Sequence, residues 1–360
     1  MKSLVSVLSI IALGVGLLSC SGGGGSGGGG GATFAITTTA APFGVVGNAY
    51  SATLVTTGGT APLTWILVGG VLPTGLSLNA STGVVSGTPT AAGNSTVTFT
   101  VTDSTGKTAT GSVLFAVHPR TDRVSVDTNG NSVAGATNTE PSISRTGGRF
   151  IAFTSTGSTL IAGVVGQQIY VHDRQTGQPS LASKSSLGSA GIGGVSSAAS
   201  VSADGRFIAF VSTAPNLVSG VSGQQIYLHD TQTSVAFPFG QTTLVSKDGS
   251  GNPATAGFPN TSPTISADGR FVAFVSTAPN LVSGVSGQQI YLHDTQTSVT
   301  FPYGQTTLVS KDGSGNPATG GFPNTSPTIS TDGQFVAFVS TASLAPGAAA
   351  ASDIYVRAMP

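Results

Sequence analysis

Asp204, Asp268 and Asp332 stand 64 residues apart, in "SADGRFIAFVS", "SADGRFVAFVS" and "STDGQFVAFVS", and "SRTGGRFIAFTS" from Ser144 to Ser155 is an earlier, diverged copy. Over Ala203 to Ser330 the two middle copies differ only at Ile208/Val272, Ala236/Thr300, Phe239/Tyr303 and Ala256/Gly320. This period is the strongest constraint on the fold. A unit this small cannot bury its own apolar faces and has to stack on its neighbours. Near-identical copies also argue for equivalent structural units, because a single active site needs asymmetry.

Each unit reads as strands. A short strand "SPTIS" is followed by an Asp-Gly hairpin turn and the strand "RFVAFVS". A longer loop "TAPNLVSGVSG" leads to the strand "QQIYLHD" and, after a variable turn, to "QTTLVSKD". In "RFVAFVS" Phe271, Ala273 and Val275 fall on one face and Val272 and Phe274 on the other, so the strand is apolar on both sides and belongs inside a stack of sheets. Four strands per unit, stacked radially, make a β-propeller blade. The motif "SADGRFxAFVS … IYLHDTQT" resembles the TolB-like and WD-like propeller repeats of bacterial envelope proteins over most of residues 120–360. "DRVSVDTNGN" (Asp122 to Asn131) matches the outer strand and turn "TTLVSKDGSGN", while the last copy ends at "SDIYVRAMP" without that strand. The expected architecture is therefore four blades closed by the N-terminal strand. An incomplete arc that dimerises and an array that never closes remain the alternatives.

Before the repeats, residues 32–118 alternate short Val/Thr/Phe-rich runs with Gly, Pro and Asn at a spacing of about ten residues, the pattern of an antiparallel sandwich. In "STVTFTVTD", Val97, Phe99 and Val101 share one face and the threonines the other, as in a half-buried strand. Trp65, the only tryptophan, is expected in the core. "LPTGLSLNASTGVVSGTPTAAGNSTVTFTVTD" resembles the Ig-like family of bacterial surface proteins related to cadherin-like and dystroglycan-type modules. The fold class is all-β, an Ig-like sandwich followed by a propeller. The family resemblance implies calcium, with Asp103 as the candidate. Asp103 is the only carboxylate between Ala32 and His118, whereas Ca²⁺ takes six to eight oxygen ligands, so the composition speaks against a cadherin-style site.

The N-terminus has Lys2 followed by an apolar run from Leu4 to Leu18, the layout of a secretory signal. Leu17-Leu18-Ser19-Cys20 resembles the bacterial lipobox, which implies a signal peptide over residues 1–19 and lipidation of Cys20. Cys20 is the only cysteine, which rules out an intramolecular disulfide and Cys-based zinc sites. Residues 20–31 are almost pure glycine and serine and read as a coil linker averaging about 20 Å end to end. The expected location is exported and lipid-anchored in the cell envelope, at the outer membrane, with the bilayer as the partner of acylated Cys20.

Only 7% of residues are charged and the formal net charge is zero, so no field of one sign exists to attract nucleic acid. The triplicated "YxHD" does not make a His/Asp dyad, because adjacent strand residues point to opposite faces. No G-x-S-x-G elbow accompanies it, and no catalytic residue is assigned. "DTNGN", "DGSGN" and "DGSGN", beginning at Asp127, Asp248 and Asp312, offer one carboxylate each where an EF-hand supplies several, and are weak metal candidates only. The expectation is a binding or scaffolding module for an envelope protein or glycan. A propeller enzyme acting on polysaccharide or peptide, and a purely structural repeat protein, are the competing classes. One outcome is testable directly: Cys20→Ala moves the chain from the membrane to the soluble fraction and abolishes palmitate labelling, and retention in the membrane fraction contradicts the anchor.

Overall fold

The computed structural model describes residues 33–318, 323–346 and 352–359; the signal segment, Cys20 and the glycine linker lie outside them. Strands and turns account for all regular structure among the described residues. None of it is a helix long and apolar enough to cross a membrane.

The first unit contains β1 (Ala35–Ile36), β2 (Gly44–Val45), β3 (Tyr50–Thr53), β4 (Thr56–Thr57), β5 (Thr64–Gly69), β6 (Leu76–Asn79), β7 (Val84–Gly87), β8 (Gly93–Thr102) and β9 (Thr108–His118). A sheet of order β2-β9-β8-β5 faces one of order β3-β7-β6. The alternation in β8 sets the packing. Val97, Phe99 and Val101 are fully buried with Trp65, Val85, Val113 and Phe115. On the opposite face the hydroxyls pair across strands, Thr98 with Ser112 at 2.9 Å and Thr100 with Thr110 at 2.8 Å. Trp65 closes the core beneath the β6–β7 turn. A Cβ on Gly83, where φ is +68°, would lie 2.7 Å from the indole nitrogen, so both the turn and the tryptophan require glycine there.

The remainder forms four sheets, each an antiparallel meander. Sheet one is β10 (Asn138–Ile143), β11 (Phe150–Ser155), β12 (Gln168–Asp173) and β13 (Gln178–Leu181). Sheet two is β14 (Ser196–Val201), β15 (Phe207–Ser212), β16 (Gln225–Asp230) and β17 (Gln241–Leu244). Sheet three is β18 (Asn260–Ile265), β19 (Phe271–Ser276), β20 (Gln289–Asp294) and β21 (Gln305–Leu308). Sheet four is β22 (Asn324–Ile329), β23 (Phe335–Ser340) and β24 (Asp353–Ala358).

The doubly apolar strands do what their sequence requires. In sheet three Val272 and Phe274 pack back onto Ala209, Val211, Ile226 and Leu228 of sheet two. Ala273, Val275, Ile290 and Leu292 pack forward onto Ile329, Val336 and Phe338 of sheet four. The first strand of every sheet carries a bulge with a non-glycine residue at positive φ, at Glu140, Ala198, Ser262 and Ser326. The hairpin turns that follow approach one another: Ala203 N–H donates to Ala267 O and Ala267 N–H to Thr331 O, both at 3.0 Å. Arg145 of sheet one reaches Ile329 O of sheet four at 2.8 Å.

Closure by the N-terminal strand is not formed. Among the described residues sheet four has three strands, and residues 119–125 make no strand. Asp122 accepts from His118 Nδ1 at 2.8 Å and pairs with Arg174 at 3.3 Å, which holds this segment on sheet one. The segment also carries Arg120, Asp122 and Arg123 where the outer strands read "QTTL", and these charges disfavour a half-buried strand.

Because Trp65 is the only tryptophan and sits in the sandwich, its fluorescence reports unfolding of that unit alone. Phe99→Ala should lower the stability read by this probe by about 3–5 kcal/mol in a urea titration. An unchanged midpoint contradicts the packing described.

Candidate functional site

The carboxylates singled out by sequence are taken up by their own loops. Asp103 accepts from Thr105 Oγ1 at 2.7 Å and from the amides of Thr60, Thr105 and Lys107 at 2.9–3.1 Å. These bonds, the Thr105 hydroxyl foremost, bring its pKa down to about 2. Asp127, Asp248 and Asp312 each accept the amides two and four residues on, at 2.8–2.9 Å. Each also accepts from the side-chain amide of Asn131, Asn252 or Asn316, at 3.3, 2.9 and 2.9 Å respectively. Among the described residues no three His, Cys, Asp or Glu side chains gather where they could hold a metal ion.

The "YxHD" residues are split between two jobs. Asp173, Asp230 and Asp294 end β12, β16 and β20 and are forked by Arg149, Arg206 and Arg270, with both bonds of each pair at 2.7–2.8 Å. Each also accepts the amide two residues on, as Asp230 does from Gln232 at 2.9 Å. Each guanidinium lies 4.6–4.7 Å over the ring of the following phenylalanine, Phe150, Phe207 or Phe271. In sheet four Gln334 and Ala358 stand at the corresponding places, so the clamp is missing. The 24-residue spacing of Arg and Asp is what sequence reading passed over.

His229 and His293 point the other way, into the space between sheets, and both are essentially buried. His229 Nδ1 meets Thr242 Oγ1 at 2.8 Å and His293 Nδ1 meets Thr306 Oγ1 at 2.9 Å. Thr242 donates to Lys184 O and Thr306 to Lys247 O. Each hydroxyl proton is thus spent on a carbonyl, so Nδ1 carries the imidazole hydrogen and Nε2 is left as an acceptor. Burial, followed by the nearby Lys184 or Lys247 charge, depresses these imidazoles to about 4 and about 3, against the opposing pull of Asp230 and Asp294.

Three clefts line the boundary between the second and third sheets and its neighbours. One of about 470 Å³ lies between Ser185–Leu187 and the loop Pro215–Gly220. A second of about 360 Å³ lies beside it, bounded by Val218–Val221, Lys247, Pro253 and Tyr303. A third of about 370 Å³ is lined by Gln241, Thr243, Lys247, His293, Thr295 and Thr297. The Tyr303 ring lies against Gly251, and Phe239 lies in the same way against Gly188 one sheet earlier. These rings are 50% and 51% exposed. No aromatic site was assigned from the sequence; the signal for it is the variable turn, "FPFG" in one copy and "FPYG" in the next.

The histidines make stability depend on pH with a defined sign. Their folded values lie below the ordinary 6.5, so the unfolded chain binds more protons in between. Their contribution is complete above pH 6.5 and is lost as pH falls towards about 4 for His229 and about 3 for His293. The urea midpoint of the repeats should therefore fall between pH 6.5 and 4, and His229→Gln with His293→Gln should flatten that slope. An equal slope in the double variant contradicts the assignment.

Residues 32–118 match the family model described as "Putative Ig domain", and this N-terminal unit is Ig-like. No curated protein matches the chain. Among solved structures it is similar to a "putative alpha-galactosidase" from Bacteroides fragilis, with 23% identity over 23% of this chain and 16% of that one and a TM-score of 0.21. It is also similar to a prolyl endopeptidase, with 11% identity over 77% and 32% of the two chains and a TM-score of 0.34, and to the protocadherin GammaB4 extracellular domain, with 12% identity over 59% and 33% and a TM-score of 0.20. The chain spans between about a sixth and a third of these proteins. What is established is an Ig-like domain joined to an all-β repeat array, an architecture compatible with a surface binding or structural module.

Proposed function

We propose that the chain is a lipid-anchored envelope protein, held by acylated Cys20 at the outer membrane, that presents a propeller-like fan of sheets as a glycan-binding surface. The Ig-like unit serves as the spacer between anchor and fan. The observation that carries this reading is the pair of half-exposed rings, Phe239 and Tyr303, at equivalent places on Gly188 and Gly251, with Tyr303 lining a cleft beside Ser219, Thr242, Thr243, Lys247 and apolar groups. A ring whose back rests on glycine offers a flat apolar face at little entropic cost, and the Thr242 and Thr243 hydroxyls with the Lys247 donor beside it suit the hydroxyls of a sugar. The low charge of the chain favours a neutral or weakly charged ligand over a highly charged polymer.

Binding is favoured over hydrolysis by what the histidines do. His229 and His293 spend Nδ1 on threonine, and the His229 Nε2 is enclosed, which suits His229 to joining sheets, while His293 lines a cleft with its Nδ1 already engaged. On a glycan array, the full chain should bind a restricted set of envelope-type glycans. Phe239→Ala with Tyr303→Ala should weaken that binding by about tenfold or more, ~1.4 kcal/mol, without moving the unfolding midpoint. Binding unaffected by the double variant overturns the reading.

A further inference from the structure

The forward face of sheet four is bare. Strand register places Phe335 opposite Ala358, Ala337 opposite Val356 and Val339 opposite Ile354, so these six apolar side chains share one face. Phe335 is 47%, Ile354 79% and Val356 66% exposed. Their counterparts in sheet three, Ile290 and Leu292, are buried, because sheet four covers them. An apolar patch left open beside an unpaired strand edge marks an interaction surface.

The molecule itself records what covers such a face. Three times the leading phenylalanine of a sheet lies against the hairpin glycine of the next: Phe150 on Gly205, Phe207 on Gly269 and Phe271 on Gly333. In each case a Cβ on the glycine would collide with the ring. Phe335 is the fourth ring of the series, and among the described residues no glycine lies under it. At the other end of the stack, Gly148 is the glycine of the sheet-one hairpin, and among the described residues no phenylalanine lies on it. Beside it Gly147, at φ +69°, faces open space, and the nearest side chain to a Cβ on Gly148 is Ile143. Ile143 is 58% exposed, whereas Val201, Ile265 and Ile329, at the same place in the other sheets, are buried.

We infer that the forward face of sheet four docks onto the sheet-one hairpin of a second copy of this chain, with Phe335 on Gly148 and Ile143 against the Ile354–Val356 ridge. The knob and the socket are both present and both open at opposite ends of one chain. The occupant that fits is accordingly the chain itself, in a head-to-tail contact. Within one chain Arg145 already reaches Ile329 O at 2.8 Å, and Phe335 and Ile143 are still 47% and 58% exposed, so the chain's own hairpin does not cover the face. This inference does not rest on what the clefts bind.

The test uses two differently tagged full-length copies expressed together in the envelope, one carrying Phe335→Cys and the other Ile143→Cys, treated with a short bismaleimide. A mixed-tag crosslinked dimer is expected. Ile143→Cys paired with Val235→Cys, a fully exposed position on sheet two's outer turn, should give at least tenfold less, and copies without added cysteines, whose one cysteine is the acylated Cys20 of the proposed function, should give none. Absence of the mixed dimer, or equal yield from the two pairs, overturns the inference. So does a single chain carrying both cysteines that crosslinks only to itself, because that outcome assigns the face to ring closure. Phe335→Asp, read by the same crosslink between Val356→Cys and Ile143→Cys with the unfolding midpoint of the repeats as its folding control, should abolish the dimer; a dimer that survives it counts against the contact.

Discussion

The repeats depend on an aromatic ring lying on bare backbone. Phe207 sits on Gly269, and the Arg206 guanidinium lies 4.6 Å from the same ring while forking Asp230. Glycine, ring, cation and carboxylate thus form one unit that fixes the distance and angle of each sheet to the next. Each component depends on the others. A side chain at Gly269 would expel the ring, and without the ring the guanidinium would have only its carboxylate, an exposed pair of little value alone. Where the unit is incomplete, at Phe335 with Gln334 and Ala358, the stack ends.

The scarcity of charge is compensated by neutral networks between the sheets. Gln168, Gln225 and Gln289 are buried, and the side-chain nitrogen of each donates to a carbonyl of the following loop, on Gly191, Ala254 or Ala318, at 2.6–2.9 Å. Their side-chain oxygens accept from Ser183, Ser246 and Ser310, all at 2.6 Å, and those serines accept in turn from the amides of Ile169, Ile226 and Ile290. Both side-chain amide atoms of each of these glutamines have partners, which avoids the penalty of an orphaned polar group. The histidine–threonine–carbonyl links follow the same logic. The result is a stack held by geometry rather than by net electrostatic attraction, suited to a chain of zero formal charge.

Much of this was legible in the sequence because its causes are local. Alternation in "STVTFTVTD" specified the half-buried strand, and apolar residues on both faces of "RFVAFVS" specified a stack. Asp-Gly specified the hairpins, where Asp204, Asp268 and Asp332 accept the amide two residues on at 3.0 Å. What was not legible depends on partners distant along the chain. The Arg–Asp fork spans two strands. The resting of Phe239 on Gly188 joins consecutive sheets through loops that carry no periodic signal. Homology of "DRVSVDTNGN" to an outer strand suggested closure, but homology of a segment does not say which edge it reaches.

That last point follows from the joint between the two units. Gln175 donates to Ala41 O at 2.8 Å, Arg174 lies 4.6 Å over Phe43, and Asp122 bridges His118 and Arg174. These contacts seat the Ig-like unit on the β12–β13 turn of sheet one, and Asp122, which lies in the segment matched to an outer strand, takes part in them. The stretch matched to a closing strand thus serves in the joint between the two units. A strand added at the β24 edge would in any case leave the apolar face of Phe335, Ile354 and Val356 open, because such a face is covered by a neighbouring sheet, as sheet four covers Ile290 and Leu292.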